Sequence, residues 1–167
     1  MNPAAPDPAH FHPAICIIAD DAGESHLVDL HLPIAFKESA ADGTVVWTGL
    51  FGAGGFGIAA AASGGDHASW HVSVLPGMSI VLVGSWEIEA SDGARRVLEA
   101  GSILVMLDQH GKGHFSREGR GPCATMGVSF DAATTEAVRA LAQSALAESA
   151  LNRNTAGAAP ARQLVRR

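Results

Sequence analysis

From residue 14 to residue 130, short apolar runs alternate with turn-forming clusters. Residues 14–19 form one run, closed by Asp20-Asp21-Ala22-Gly23. In residues 25–32, Leu27, Asp29 and His31 fall opposite His26, Val28 and Leu30, a period of two. Ala41-Asp42-Gly43 gives a turn before the run at 44–51, and the run at 58–62 ends at Ser63-Gly64-Gly65-Asp66. The longest run, 79–90, closes at Ser91-Asp92-Gly93, and runs at 95–98, 102–107 and 124–130 complete the set. Many short runs at near-regular spacing, punctuated by Asp-Gly and Gly-Gly, predict an all-β sandwich or barrel. No helical period separates them, which disfavours βαβ units. Asp92-Gly93 between two alternating arms predicts a β-hairpin. In its first arm Trp86 and Ile88 face one way and Glu87 and Glu89 the other, as in a wall with an apolar inside and an acidic outside.

The period changes after Phe130. Val138, Leu141, Ala142, Ala145 and Leu146 recur at helical spacing, with Asp131 or Thr134 placed to cap the start. The expected organisation is a proline-rich arm over 1–12, a barrel over 13–131, a helix over 132–151 and a mobile tail over 152–167.

Composition narrows the function classes. A chain of 167 residues is one ordinary domain. With 47% hydrophobic and 17% charged residues, global disorder is excluded. The formal charge of −6, with no basic cluster, makes nucleic acid and anionic membrane surfaces poor partners. The start lacks the basic and apolar regions of a signal peptide, and no apolar stretch reaches the roughly 20 residues of a spanning helix. Cys16 and Cys123 have neither metal nor redox spacing. Two reduced thiols in a cytoplasmic protein are the expectation.

Residues 65–114 resemble the cupins of the RmlC-like superfamily. Gly65 and His71, six apart, open a segment similar to the first cupin motif, Gly-x5-His-x-His followed by a glutamate and a turn glycine, here Gly84. Asp108-Gln109-His110-Gly111-Lys112-Gly113-His114 resembles the Asp-x-x-Gly-Lys-Gly-His segment of a group of small bacterial cupins. Trp70-His71, Ser91-Asp92-Gly93 and Gly101 stand where that group has Trp-His, Ser-Asp-Gly and a strand-preceding glycine. The resemblance implies a cupin jelly-roll β-barrel with an internal pocket, and pairing into a homodimer, which would also cover exposed barrel edges.

The departures bear on function. In metal-binding cupins the first motif supplies two histidines and a carboxylate, and the second motif another histidine. By resemblance His71 and His114 match the first and last ligands. Ser73 takes the place of the second histidine, and the carboxylate's place falls on Gly77 or Met78. Serine and glycine are poor substitutes, and methionine is a soft ligand for few metals. A remodelled site would draw on His67 or His110, each four residues before its partner. On a regular strand such residues stand roughly 13 Å apart, so the chain would have to bend. Zinc, iron, nickel or copper would be the divalent candidates. Without a metal, His71 and His114 remain candidate acid–base groups, because imidazole titrates near neutrality. In the plainer reading His71 is a barrel residue bonded to Ser73 or a carbonyl, and His114 is a turn residue at the pocket mouth.

Other motifs carry less. Gly52-Ala53-Gly54-Gly55-Phe56-Gly57 matches Gly-x-Gly-x-x-Gly, but no helix follows to hold a pyrophosphate, so a glycine-rich turn is expected. Lys112 reads as a solvated loop lysine or an attractor of anions. Cys123 has no activating partner in sequence. The expected function is small-molecule binding in a pocket that includes Trp86, Ser73 and Ile88, with His71 and His114 as its polar groups or as a metal-independent catalytic pair. The alternatives are a metal-dependent dioxygenase, isomerase or lyase acting on a small organic acid, and a structural or regulatory dimer.

Overall fold

The computed structural model describes residues 11–33, 36–39, 41–42, 45–48, 51–61, 69–119 and 121–157. Eleven strands precede one helix: β1 (Phe11–Ala19), β2 (Ser25–Pro33), β3 (Phe36–Ser39), β4 (Val45–Thr48), β5 (Ala53–Ala61), β6 (Gly77–Val83), β7 (Ser85–Ala90), β8 (Arg95–Glu99), β9 (Ile103–Leu107), β10 (His114–Glu118), β11 (Cys123–Phe130) and α1 (Ala132–Gly157). Six form one sheet in the order β2-β1-β9-β6-β11-β5, three form a second in the order β10-β7-β8, and β3 pairs with β4. From β6 onward the chain passes from the first sheet to the second (β7, β8), back (β9), across (β10) and back again (β11). The architecture is an all-β jelly roll with a C-terminal helix.

Period-two alternation divides the large sheet into two faces, each with its own core. Inward, Ile17, Leu27, Val81 and Leu104 meet Ile88, Ala90 and Leu98 of the small sheet. Outward, Cys16, Ile18, Val28, Leu30 and Val105 meet Val138 and Ala142 of α1. The Asp92-Gly93 turn joins β7 to β8, with Glu89 opposite Arg95 and Ser85 opposite Glu99. Glu87 and Glu89 turn outward to Arg117 and Arg95.

Several elements differ from expectation. The glycine-rich segment at 52–57 is not a turn: from Ala53 it runs as β5, templated by β11, with Gly57 opposite Gly127 and Gly55 opposite Ser129. The run at 79–90 is two strands in different sheets, broken at Gly84, whose φ of 74° an L side chain rarely adopts. Residues 114–118 form a strand, so His114 begins β10 instead of sitting in a turn. Strand β1 begins at Phe11, inside the expected arm, because it pairs with β2 as far as Pro33. The helix continues to Gly157 instead of ending at 151, since no helix breaker intervenes and Arg153 bonds back to Ser149. Residues 1–10 and 158–167 of the expected arm and tail lie outside the described residues.

Asp131 caps α1: its Oδ1 accepts the Thr134 amide at 2.7 Å. Thr134 Oγ1 accepts the Gly52 amide instead, tying the helix start to the approach to β5. The backbone amide of Thr134 holds the Asp131 carboxyl below its ordinary value of 3.8. A lowered folded-state value stabilises the fold above the unfolded value and is lost as pH falls through the folded one. Asp131→Asn, which keeps the cap but removes the charge, is therefore expected to flatten the fall of melting temperature below about pH 4. Leu104→Ala, in the fully buried inter-sheet core, is expected to cost about 2–5 kcal/mol in urea unfolding.

Candidate functional site

The site forms where the segment before β6 meets the start of β10. His71 and His114 exchange backbone hydrogen bonds in both directions, His71 N to His114 O at 2.9 Å and His114 N to His71 O at 2.8 Å. This approach requires Gly113. Its φ is 69°, and a Cβ there would stand 2.1 Å from the His71 carbonyl oxygen. The two imidazoles then lie 4.4 Å apart between centroids, inclined at 59°.

Beneath them is a buried carboxylate. Asp108, fully buried at the end of β9, accepts Ser73 Oγ on Oδ1 and the His114 Nδ1 proton on Oδ2, both at 2.6 Å. Its carbonyl oxygen also accepts the Ser73 amide at 3.3 Å. The two side-chain contacts are charge-assisted, and together they use both carboxylate oxygens. In the neutral His114 ring, a proton given to Asp108 from Nδ1 leaves Nε2 as the lone-pair nitrogen. His71 is set the same way, because its Nδ1 lies 2.8 Å from the Ser69 carbonyl oxygen, which can only accept. Two rings whose Nε2 atoms are left as acceptors therefore lie 4.4 Å apart between centroids.

This is not a nucleophilic triad. There, histidine lies between serine and carboxylate and takes the serine proton. Here Asp108 lies between Ser73 and His114, so the Ser73 proton goes to the carboxylate.

A cavity of about 320 Å³ opens beside the pair, with His71, Ser73, Trp86, Met106, His114 and Ser129 among its lining residues and, among the described residues, no lysine or arginine. Small residues make the space. The inward positions of β6 and β11 at this end are Gly77, Ser79, Gly127 and Ser129, opposite one another in register. The nearest atom to a Cβ built at Gly127 is Ser79 Oγ, 4.0 Å away.

The expected site residues separate accordingly. His71, Ser73, Trp86 and His114 come together at the cavity. Ile88 does not reach it: it is fully buried in the inter-sheet core, one inward position beyond Trp86 on β7. Ser73 bonds Asp108 and not His71. His110 is exposed on the turn before Gly111 and joins no ligand group with His71 and His114. His67 lies outside the described residues. Asp108 was absent from the expected site, although it opens the Asp-x-x-Gly-Lys-Gly-His segment. Lys112 pairs with Glu24. Burial pushes the thiols of Cys16 and Cys123 up, the wrong direction for nucleophiles.

These residues do not fit a cupin-type transition ion. The second histidine's place holds Ser73, already bonded, and Asp108, the carboxylate beside the pair among the described residues, has both oxygens engaged. Among the described residues no group of three or more His, Cys, Asp or Glu could hold a metal.

Removing Asp108 tests its role in setting the site. Asp108→Ala leaves the Ser73 hydroxyl and the His114 Nδ1 proton without their acceptor, at about 1–3 kcal/mol each. Urea unfolding should show a loss of about 2–6 kcal/mol, the two together. In ¹⁵N spectra of histidine-labelled protein, His114 should carry its proton on Nδ1 in the wild type and lose that preference in the variant, while His71 keeps its own.

No family model and no curated protein matches the chain. Among solved structures it is similar to a crystal structure described as ethanolamine utilization protein Q from Salmonella typhimurium LT2, at 10% identity and a TM-score of 0.35, covering 72% of this chain and 96% of that one. A likeness of that size carries no argument about what the site does.

Proposed function

We propose that the chain is a cupin-type small-molecule-binding protein whose ligand sits in the cavity and donates hydrogen bonds to Nε2 of His71 and His114. The observation that carries this reading is the buried Asp108–His114 pair beside the His71 ring. A buried carboxylate that fixes an imidazole's orientation and tautomer costs stability unless its partners are complete, and here the imidazole it fixes lines an apolar cavity. Pockets of roughly 300–1,000 Å³ with apolar walls and a few placed polar groups are the usual form of a small-ligand site. The lining that the described residues provide is apolar apart from His71, His114 and two serines, which suits an uncharged ligand better than an organic acid. The same Nε2 atoms are placed to accept a proton from a bound molecule, so the reading extends to metal-independent acid–base catalysis.

Indole is a suitable probe, with a flat apolar body and one N–H donor. In an NMR titration of the wild type, indole should move the His71 and His114 ring signals. Gly127→Val projects a side chain into the open space without backbone strain and should abolish the effect with the fold intact. His114→Ala should weaken binding about tenfold, the loss of one hydrogen bond. Indole shifts that persist unchanged in Gly127→Val would place binding elsewhere. Metal analysis addresses the metalloenzyme alternative. Less than one ion per chain is expected in the wild type. One tightly held ion, lost in both His71→Ala and His114→Ala, would overturn the metal-free reading.

A further inference from the structure

Trp86 also lines a second cavity, of about 210 Å³, together with Ala59, Ser116, Glu118, Cys123 and Thr125. It follows the first along β11, where Cys123 and Thr125 continue the row of Gly127 and Ser129. Neither His71 nor His114 borders it.

Cross-strand register places its polar groups between the sheets. On β10, Ser116 stands opposite Ile88 and Glu118 opposite Trp86, and both of those β7 residues pack in the inter-sheet core. On β11, Thr125 stands opposite Val81 of the same core. Glu118 differs from the other carboxylates of these strands. Glu87 and Glu89 turn outward and pair with Arg117 and Arg95. Glu118 is half-buried and, among the described residues, has no ion pair and no hydrogen bond. Arg117 also borders the cavity, but its guanidinium is bonded to Glu87. Next to burial, the Glu118 charge is what raises the Cys123 thiol, so that charge acts inward. The Ser116 and Thr125 hydroxyls likewise make no hydrogen bond among the described residues.

A carboxylate partly withdrawn from water and two unengaged hydroxyls leave three acceptors without donors. The chemistry of the lining selects the donor. A transition ion would need imidazole or thiolate, and burial holds the Cys123 thiol protonated. A hard cation would need about six oxygens, more than these side chains supply. We propose that this cavity binds a small primary ammonium, its N–H bonds directed to the Glu118 carboxylate, Ser116 Oγ and Thr125 Oγ1 and its carbon chain against Trp86 and Ala59. An ammonium of this kind donates three hydrogen bonds, accepts none, and neutralises the carboxylate. The ligand class differs from that at the histidine pair because a carboxylate stands here in place of the imidazoles.

Butylammonium and 1-butanol are probes matched in length that differ in charge. In neutral phosphate buffer free of other amines, millimolar butylammonium should move the Trp86 indole N–H and Thr125 amide signals to saturation in an NMR titration. 1-Butanol at the same concentrations should not. Glu118→Gln keeps the side chain's shape and removes its charge, and should weaken butylammonium binding by more than about tenfold with unchanged far-ultraviolet circular dichroism. Thr125→Val removes one hydroxyl at nearly constant volume and should weaken binding about fivefold, which gives the reading if Glu118→Gln misfolds. No saturable shift, an equal response to the two probes, shifts confined to the His71 and His114 rings, or butylammonium affinity unchanged in a folded variant would each overturn the proposal.

Discussion

A carboxylate with no exposure to water constrains this end of the molecule. Asp108 can remain buried only if donors surround it, and Ser73 and the His114 Nδ1 proton are those donors. One comes from the segment before β6, the other from the first residue of β10, while Asp108 follows β9. Satisfying one side chain thus fixes three separate pieces of chain. The backbone exchange between His71 and His114 then follows, and with it the spacing of the two rings. Stability and site geometry are the same requirement here, because a displaced His114 would strand the carboxylate.

The interior beside that carboxylate is divided by side-chain size. Toward one end, Ile17, Leu27, Ile88, Leu98 and Leu104 fill the space between the sheets. Toward the other, Gly77, Ser79, Gly127 and Ser129 leave it open. The boundary falls within single strands: on β7, Trp86 lines the cavity while Ile88, two residues on, is core. On β9, Met106 lines the cavity and Leu104 is core. The cavity is therefore framed by packed rows and owes its position to a change in residue size, not to a missing strand.

The alternation of apolar and polar positions, the Asp92-Gly93 hairpin and the helical period after Phe130 made the fold class legible in the sequence. They report local periodicity, which each strand or helix carries within itself. The errors arose where structure depends on a distant partner. Gly55 and Gly57 read as a turn because glycine lacks strand propensity, yet β11 supplies equally small residues opposite them. His71 and His114 were recognisable from motif spacing, but Ser73 read as a pocket residue in place of a histidine, or as a partner of His71, and not as a partner of Asp108. Its use became visible once Asp108, 35 positions away in sequence, was beside it. Ile88 shares a face with Trp86, and alternation cannot say how far along that face a cavity extends.

A second polar clasp holds the His114 segment from outside. The turn before β2 and the loop before β10 come together so closely that a Cβ at Gly111 would lie 2.3 Å from the Gly23 oxygen. That oxygen accepts the Lys112 amide at 2.8 Å, and the Lys112 ammonium pairs with Glu24. Ser25 Oγ donates to the Gly113 carbonyl at 2.6 Å, and its backbone amide donates to Ser91 Oγ. Nearby, His26 lies between Asp20 and Asp92 at 3.1 and 2.8 Å and links the β1–β2 and β7–β8 turns. The His26 hydrogen bond is the main reason the Asp20 carboxyl is held below its ordinary value. Gly113 is thus pinned on two sides, by His71 across the bridge and by Ser25 behind it. The glycines of the Asp-x-x-Gly-Lys-Gly-His segment are required for backbone approach, and its lysine is held in an ion pair. Of the segment's residues only the final histidine lines the cavity, held by the buried aspartate, so the segment preserves the architecture of a site without prescribing a metal for it.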